Sequence, residues 1–347
     1  MSKIRRVLLY SFLLLSPLAF SKFTYNYTIF KLILPQIFFL FIALTFLIEK
    51  KIFYYHKPLT IVLSLYLLFN LLSFLVNPFH HLSYPHIMQL LTYFSIFLIT
   101  VNLKKDKRLF FFLFVSGALL SLWAISDFLK FHLVNAGFGN KNFFAGYIIF
   151  LIPLSLSFVI IHPHLSPPPS RGRIYHKIIF LSLFLLYSFA LLLTKSQAAY
   201  LATIGAILFL FAVNSTNRKI LLLKTSFILF FLFLISIFSH FYFVNRITEN
   251  VRLLVWRGTI DMIKVHPLLG SGPGTFTIHY PNYRIPEYFL QKAVAPITAH
   301  AHNEYLEILS ETGIFGLLLF LGFIFLFFKE AWKTFPPPLI SPPSREG

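Results

Sequence analysis

The amino-acid sequence predicts an all-α polytopic membrane protein with about ten transmembrane helices. Of its 347 residues, 57% are hydrophobic and only 12% are charged, and phenylalanine alone contributes 46 residues. Soluble domains carry about 25% charged residues and avoid large exposed apolar patches, so this composition excludes a soluble globular protein. A disordered chain is excluded as well, because disorder requires low hydrophobicity. The apolar runs are continuous rather than alternating, which predicts helices and not β-barrel strands.

A helix needs about 20 mostly apolar residues to cross the hydrocarbon core of a bilayer, and ten stretches meet this requirement. They lie near residues 7–21, 30–48, 58–76, 87–103, 109–128, 143–162, 178–194, 197–213, 220–244 and 310–328. The first stretch follows Lys3, Arg5 and Arg6, so a cleaved signal peptide is an alternative to a retained membrane anchor. The anchor is favoured because no small-x-small cleavage site follows.

The distribution of Lys and Arg predicts the orientation of these spans. The formal net charge is +19, from 30 Lys and Arg against 11 Asp and Glu. With the amino terminus in the cytoplasm, most of these cations fall in the inner segments, as the positive-inside rule requires. The short outer loops then hold only Lys22, Lys31, Lys130, Lys141 and Lys195. The basic charge is therefore interpreted as a sign of topology, and no nucleic-acid partner is expected.

Two proline-rich segments, residues 162–173 and 336–347, interrupt the apolar pattern and nearly repeat each other. Each is interpreted as a solvated extended linker, with a ligand for a partner domain as the alternative. The second belongs to a predicted cytoplasmic tail, residues 329–347. The chain contains no cysteine, which excludes disulfides, iron–sulfur clusters and thiol catalysis.

Polar residues concentrate in one long outer segment, roughly residues 245–309. Six of the eleven acidic residues lie between Glu249 and Glu311. Loops of this length are usually functional or disordered, and the helical patterning of this one favours function. Thr248 is expected to cap an amphipathic helix that lies along the outer membrane surface. Its apolar residues recur at helical spacing, namely Val251, Leu254, Val255, Met262 and Ile263.

Two pairs of side chains on this helix are four residues apart and therefore share a face. Arg252 and Trp256 are placed to stack, and Arg257 and Asp261 are placed to pair. A solvated face with headgroup contacts is the alternative for both arginines.

Three glycines at alternate positions follow the helix, at Gly270, Gly272 and Gly274. They permit tight turns and close backbone approach, and free backbone N–H groups in such turns can hold an anion. A dinucleotide-binding fingerprint would need a preceding strand and a following helix. Neither is predicted here, so that function is excluded.

Two histidines close the outer segment, at His300 and His302, with three glutamates after them. Read as a helix, this stretch would point positions i and i+2 about 200° apart, so a metal site is not expected. A histidine beside Asn and Glu at a membrane surface can act as a general base near pH 7, with an ordinary interfacial polar residue as the alternative. The glutamates share one helical face and are expected to orient a histidine or to be solvated. They are Glu304, Glu307 and Glu311.

Polar breaks at 139–146 and 194–200 lie on the same side of the membrane as this segment, and polar groups at membrane depth usually face a cavity.

Together the residues of the two breaks and of the long outer segment resemble the O-antigen ligase / O-antigen polymerase superfamily of bacterial envelope glycan enzymes. The resemblance covers about residues 135–328, preceded by amino-terminal transmembrane helices over 1–134. The matching pieces are Gly139-Asn140-Lys141-Asn142, Thr194-Lys195-Ser196-Gln197, Arg252 with Trp256, Pro267 to Phe276, and His302-Asn303-Glu304-Tyr305-Leu306 followed by Glu311-Thr312-Gly313.

The resemblance implies a multi-pass glycosyltransferase of the GT-C type in the inner membrane. Such enzymes take a glycan from a polyprenyl diphosphate carrier at the outer face and pass it to an acceptor. The acceptor is lipid A core in ligases, another repeat unit in polymerases and protein in some relatives, and the residues do not separate these possibilities. No nucleotide sugar, metal or other cofactor is expected.

The resemblance also implies roles for individual residues. His302 would be the base or the residue that orients the acceptor. Arg252 would hold the departing diphosphate, which a guanidinium suits by bidentate hydrogen bonding. Contacts with the substrate are expected from Lys141, Lys195, Gln197, Trp256, Gly272, Gly274, Asn303 and Glu304.

The sequence departs from the family pattern at two places. The family motif Thr-x-Ser-Arg ends here in Gln197, which donates hydrogen bonds without a charge, and Lys195 is not equivalent to Arg at a bidentate site. Relatives commonly have further spans where this chain has its proline-rich tail. A structural partner with an inactive site is therefore one alternative. A transporter or flippase of lipid-linked glycan is another, although the scarcity of charges inside the spans favours the enzyme.

Overall fold

The computed structural model describes residues 3–20, 29–48, 56–102, 106, 108–160, 170–213, 251–290 and 298–334. Every regular element in these ranges is helical, as the sequence predicts. The α-helices are α1 (Lys3–Leu18), α2 (Ile29–Ile48), α3 (Lys57–Val76), α4 (His80–Val101), α5 (Arg108–Phe131), α6 (Lys141–Ile160), α7 (Ser170–Thr194), α8 (Gln197–Val213), α9 (Val251–Val265), α10 (Phe276–His279) and α11 (Glu304–Thr334). Two 3₁₀ turns, Tyr280–Tyr283 and Pro286–Leu290, follow α10.

Six of these helices are long and apolar enough to cross a membrane, namely α3, α4, α5, α6, α7 and α11. Shorter apolar helices occupy Phe30–Phe46 and Gln197–Phe211, within α2 and α8. Helix α1 covers most of the first predicted span. The predicted span at 220–244, the proline-rich loop at 161–169 and the tail from 335 onward lie outside the described residues. The helical membrane class is confirmed, and the number of ten stays a prediction.

The helices form two compact units that interleave along the chain. The first unit comprises Met1–Ile48, Lys104–Ile235 and Pro337–Gly347, and the second comprises Glu49–Leu103 and Ser236–Pro336. Within the described residues, the first unit therefore holds α1, α2 and α5 to α8. The second unit holds α3, α4 and α9 to α11.

The core of the first unit forms where α5, α6 and α7 pack closely. Gly117 of α5 leaves room for Leu151 and Tyr187, because a β-carbon there would lie 2.2 Å from the Leu151 side chain. The hydroxyl of Tyr187 donates to the carbonyl of Phe114 across the interface, at 2.7 Å. This bond satisfies a polar group that would be costly to bury alone.

Helices α6 and α7 run antiparallel, so the start of α6 and the end of α7 lie at the same end of the first unit. Phe158 near the end of α6 stacks on Phe180 near the start of α7, with ring centroids 4.6 Å apart. Asn140 begins α6 by accepting the N–H of Asn142 with its side-chain oxygen, at 2.8 Å. The two polar breaks of the sequence therefore lie together at this end.

The second unit is built on α11, which packs against α3 and also contacts α9. Ring contacts join α3 to the apolar part of α11, including Tyr66 with Phe320 and Phe69 with Phe315. Helix α4 packs against α3. Helix α11 begins at Glu304, six residues before the predicted span, because Asn303 caps it.

Helix α11 is broken once, at Gly313, where the backbone has φ 65° and ψ −170°. The segment 266–275, called the glycine loop below, packs across this break. The N–H of Ile314 donates to the carbonyl of Pro267, at 2.9 Å. A β-carbon at Gly313 would lie 2.2 Å from the carbonyl oxygen of Leu268, so both the backbone conformation and the close approach require glycine.

We predict that Gly313→Ala destabilises the protein by at least about 1–3 kcal/mol, the cost of holding a residue with a β-carbon in this conformation. The measurement is the free energy of unfolding in detergent micelles. Gly322→Ala on the same helix is the matched control, because the nearest atom to its new β-carbon is 3.9 Å away. Equal effects of the two substitutions would contradict the tight packing at the break.

Candidate functional site

The amphipathic helix predicted in the outer segment is present as α9, but its apolar face is covered by protein. Leu254, Val255 and Met262 are buried in a core cluster with Phe276, Tyr280, Tyr288 and Ala301. The expectation that this face lies on the membrane surface is therefore not met by these side chains, because α10, the 3₁₀ turns and α11 cover it. Residues before 251, including the predicted cap Thr248, lie outside the described residues.

Trp256 joins α9 to the segment before α11. Its indole Nε1–H donates to the carbonyl of Ala301, at 3.0 Å. The Ala301 side chain is fully buried. The position of Arg252, one helical turn before Trp256, is thereby set relative to the histidines on either side of Ala301.

The segment from 298 to 303, called the histidine loop below, is held at three residues. Thr298 is buried and hydrogen-bonds to the hydroxyl of Tyr288, at 2.6 Å. Ala301 is held by Trp256, and Asn303 caps α11 by accepting the N–H groups of Tyr305 and Leu306 with its side-chain oxygen. His300 and His302 lie between these anchors, and both are exposed.

This arrangement corrects the geometry assumed for the two histidines. They precede α11 instead of lying on it, so they do not point to opposite sides of a helix. The N-cap residue Asn303 followed by an acidic first turn is the sequence pattern that marks this helix start. In the described part of the chain, no group of three or more His, Asp or Glu side chains is arranged to hold a metal ion.

His302 has a left-handed backbone with φ 55°, a conformation that costs free energy for a residue with a β-carbon and that clusters at functional sites. Partial burial and the positive charge of Arg252 lower the pKa of His302. The structure therefore brings the two predicted catalytic residues into one electrostatic environment. The lowered pKa favours the neutral form of the His302 ring, which can accept a proton.

Of the two alternatives for the glutamates, contact with a histidine and solvation, Glu307 shows the first, and its partner is His300. His300 Nδ1–H donates to Glu307 Oε1 at 2.7 Å, because an ionised carboxylate can only accept. The other carboxylate oxygen accepts the N–H of Ala301 at 2.9 Å. The hydrogen bond to Glu307 raises the pKa of His300. The sequence motifs indicate no role for His300.

The anion held by the glycine loop is the side chain of Glu311. Its two carboxylate oxygens accept the N–H groups of Gly274 at 2.8 Å and Phe276 at 2.9 Å. The N–H of Gly272 donates to the Glu311 carbonyl at 2.8 Å. Gly272 and Gly274, predicted to bind substrate, therefore have their N–H groups engaged within the protein.

The other predicted site residues fall in two places. Glu304 is exposed in the first turn of α11, next to the cap. Lys141, Lys195 and Gln197 are all exposed in the first unit, at the end where α6 begins and α7 ends. Asp261 of α9, predicted to pair with Arg257, accepts a hydrogen bond from Lys264 at 2.7 Å.

Comparison with known proteins shows which family this region resembles. Residues 182–321 match the O-antigen ligase family. The match includes Gln197, Arg252, Trp256, the glycine loop and the histidine loop. It confirms the resemblance to the O-antigen ligase superfamily that these motifs indicate.

Proteins of two Rickettsia species, each provisionally named a polysaccharide ligase, are among its relatives. The one from Rickettsia prowazekii is 28% identical over 165 residues, which cover 45% of this chain and 40% of the relative. The one from Rickettsia felis is 28% identical over 171 residues, which cover 46% and 41%. The chain thus spans less than half the length of these relatives. No solved structure matches it.

We predict that Trp256→Phe loosens the histidine loop, because phenylalanine fills most of the space but cannot donate to Ala301. A lost hydrogen bond of about 0.5–1.5 kcal/mol corresponds to amide exchange roughly 2- to 12-fold faster at residues 298–303. Hydrogen exchange with mass spectrometry provides the measurement. Trp332→Phe is the control, since Trp332 is 58% exposed near the other end of α11. Unchanged exchange in Trp256→Phe would contradict the anchoring role.

Proposed function

We propose that the protein is a membrane glycosyltransferase that moves a glycan from a polyprenyl diphosphate carrier to an acceptor at the outer face of the inner membrane. The observation that supports this proposal is that exposed Arg252 lies near enough to exposed His302 for its charge to lower the pKa of that histidine. The bond between Trp256 and Ala301 attaches the helix of Arg252 to the loop of His302. The reaction needs a cation for the leaving group and a base or an orienting group for the acceptor. This surface offers both.

The leaving group of such a transfer is a diphosphate, which gains negative charge as the glycosidic bond breaks. A preorganised cation stabilises that charge more in the transition state than in the bound substrate, and this difference lowers the barrier. A guanidinium also matches two phosphate oxygens at once. Arg252 is proposed to supply this stabilisation, so no metal ion is required.

The acceptor is proposed to enter beside His302. A neutral imidazole can accept the proton of an acceptor hydroxyl, or can hold that hydroxyl in line with the sugar carbon. His302 is exposed on the anchored loop. Glu304 in the adjacent first turn is a proposed contact for the sugar hydroxyls.

The other residues predicted to contact the substrate are proposed to have two different roles. The indole N–H of Trp256, the side-chain oxygen of Asn303 and the N–H groups of Gly272 and Gly274 are engaged within the protein. These residues are therefore proposed to shape the site and not to bind the glycan through those groups. Lys141, Lys195 and Gln197 are exposed and are proposed to contact substrate. Gln197 would do so by neutral hydrogen bonds.

The names of the relatives favour ligation, and repeat-unit polymerisation is the alternative within the same superfamily. Deletion of the gene followed by electrophoresis of surface glycans tests both. Loss of all attached glycan indicates a ligase, and single attached repeats indicate a polymerase. An unchanged glycan pattern in the deletion strain would contradict the proposed function.

Complementation of the deletion strain tests the two catalytic residues. We predict that Arg252→Ala and His302→Ala each reduce glycan transfer by at least about 100-fold, because each removes charge stabilisation or acid–base function. Arg252→Lys should restore little, since an ammonium lacks the bidentate geometry.

Two controls accompany these variants. Arg257→Ala removes an exposed arginine from the same helix, and His266→Ala removes an exposed histidine that precedes the glycine loop. Both should support normal transfer, and all variants should reach the membrane in equal amounts. Wild-type transfer by Arg252→Ala together with His302→Ala would overturn the assignment.

A further inference from the structure

Beside the predicted catalytic pair, the histidine loop carries a second histidine with a different electrostatic environment. The His300 side chain is 68% exposed, whereas that of its partner Glu307 is only 20% exposed. The carboxylate is fixed by two bonds, one to His300 Nδ1 and one to the N–H of Ala301. The bond at Nδ1 leaves the lone pair of His300 on Nε2, the other nitrogen of an exposed ring.

The peptide between the two histidines is held from both sides. The N–H of Ala301 donates to Glu307 of α11, and the carbonyl of Ala301 accepts from Trp256 of α9. Both exposed rings are therefore attached to one restrained residue. The Cα atoms of His300 and His302 are at most about 7 Å apart, because a single residue separates them along the chain. Both exposed rings are therefore available to a group that enters at this loop.

The two histidines differ in how they respond to gaining a proton. When an imidazole accepts a proton it becomes a cation, which a neighbouring carboxylate stabilises and a neighbouring guanidinium destabilises. The Glu307 carboxylate stabilises the protonated form of His300, and the Arg252 guanidinium destabilises the protonated form of His302. A carboxylate-backed imidazole is thus the better proton acceptor of the two.

We propose that His300 is the catalytic base of the glycan transfer, that Glu307 is its positioning residue, and that His302 orients the acceptor. This inference rests on the proposed function. The acceptor hydroxyl oxygen forms a bond to the sugar carbon as the bond from that carbon to the diphosphate oxygen breaks. The bonding pair leaves with the diphosphate beside Arg252, and the hydroxyl proton moves to His300 Nε2. Release of that proton to water restores the base.

Several groups besides Glu307 act electrostatically on this pair and on its neighbour. They are Glu304 and Glu311 from α11, His302 from the same loop, Arg252 from α9 and His86 from α4. The three glutamates favour the protonated form of His300. Only Glu307 also hydrogen-bonds to the ring, so its substitution tests the pair more specifically than that of the others.

The test uses the full-length protein, purified in detergent and mixed with a lipid extract of the deletion strain, which supplies the accumulated donor and the acceptor. His300→Gln is expected to reduce the transfer rate by at least about 100-fold at pH 7. His266→Gln, at an exposed histidine, and Glu287→Gln, at an exposed glutamate, are the matched controls. Size-exclusion elution and the melting temperature report whether each variant is folded.

Glu307→Gln separates a positioning role from a merely structural one. The neutral form of His300 is the active one, so the rate rises with pH through the raised pKa of His300. Without the Glu307 charge, the pKa of His300 falls and the midpoint of the acidic limb moves to lower pH. Histidine-selective NMR should show the same shift for the His300 ring without any turnover, and this measurement applies even where His300→Gln does not fold.

The outcomes are separable. Loss of transfer in His300→Gln, with a lower midpoint in Glu307→Gln, supports the inference. Wild-type transfer in His300→Gln, or an acidic limb and NMR titration that do not move in Glu307→Gln, overturns it and leaves the proposed function standing. Absence of transfer by the wild-type protein itself overturns the proposed function, and the inference with it.

Discussion

The two hydrogen bonds that the Glu311 carboxylate accepts from Gly274 and Phe276 determine how the second unit is assembled. They attach the glycine loop to α11 at the turn before its break, over a separation of more than 30 residues along the chain. A buried carboxylate is costly unless hydrogen bonds compensate it. Displacing the glycine loop would leave the Glu311 carboxylate without these two hydrogen bonds, so the loop is held in place. Phe276 belongs to the core cluster under α9, and α9 in turn carries Trp256 and Arg252.

From this attachment the site follows by short steps. Helix α11 supplies Glu307 one turn before Glu311, and Glu307 holds both His300 and the N–H of Ala301. Trp256 holds the carbonyl of the same residue. Helices α9 and α11 thus fix from two sides the loop that carries both exposed histidines. Such preorganisation suits the proposed glycan transfer, because fixed charges stabilise a transition state without reorganising during the reaction.

The sequence predicts the helices well and the site only in part. Continuous apolar runs locate nearly every described helix, because the requirement to span a bilayer sets both length and composition. The grouping of Arg252 with His302 follows from the family resemblance. The contact of Glu307 with His300 and the contact of Glu311 with the glycine loop could not be predicted from the sequence. Both depend on where α11 begins and on contacts between distant residues. Asn303 is the local sequence signal for the beginning of α11, and this signal places the two histidines in the loop before the helix.

Whether Glu311 holds the site together can be measured by amide exchange of the glycine loop in Glu311→Gln, together with glycan transfer. A glutamine offers one acceptor oxygen where the carboxylate offers two, and its amide group faces an N–H donor. The account predicts faster exchange at Gly274 and Phe276, faster exchange in the histidine loop, and loss of transfer, while the helices of the first unit keep their protection. Unchanged exchange in both loops, with normal transfer, would contradict the claim that Glu311 holds the site together.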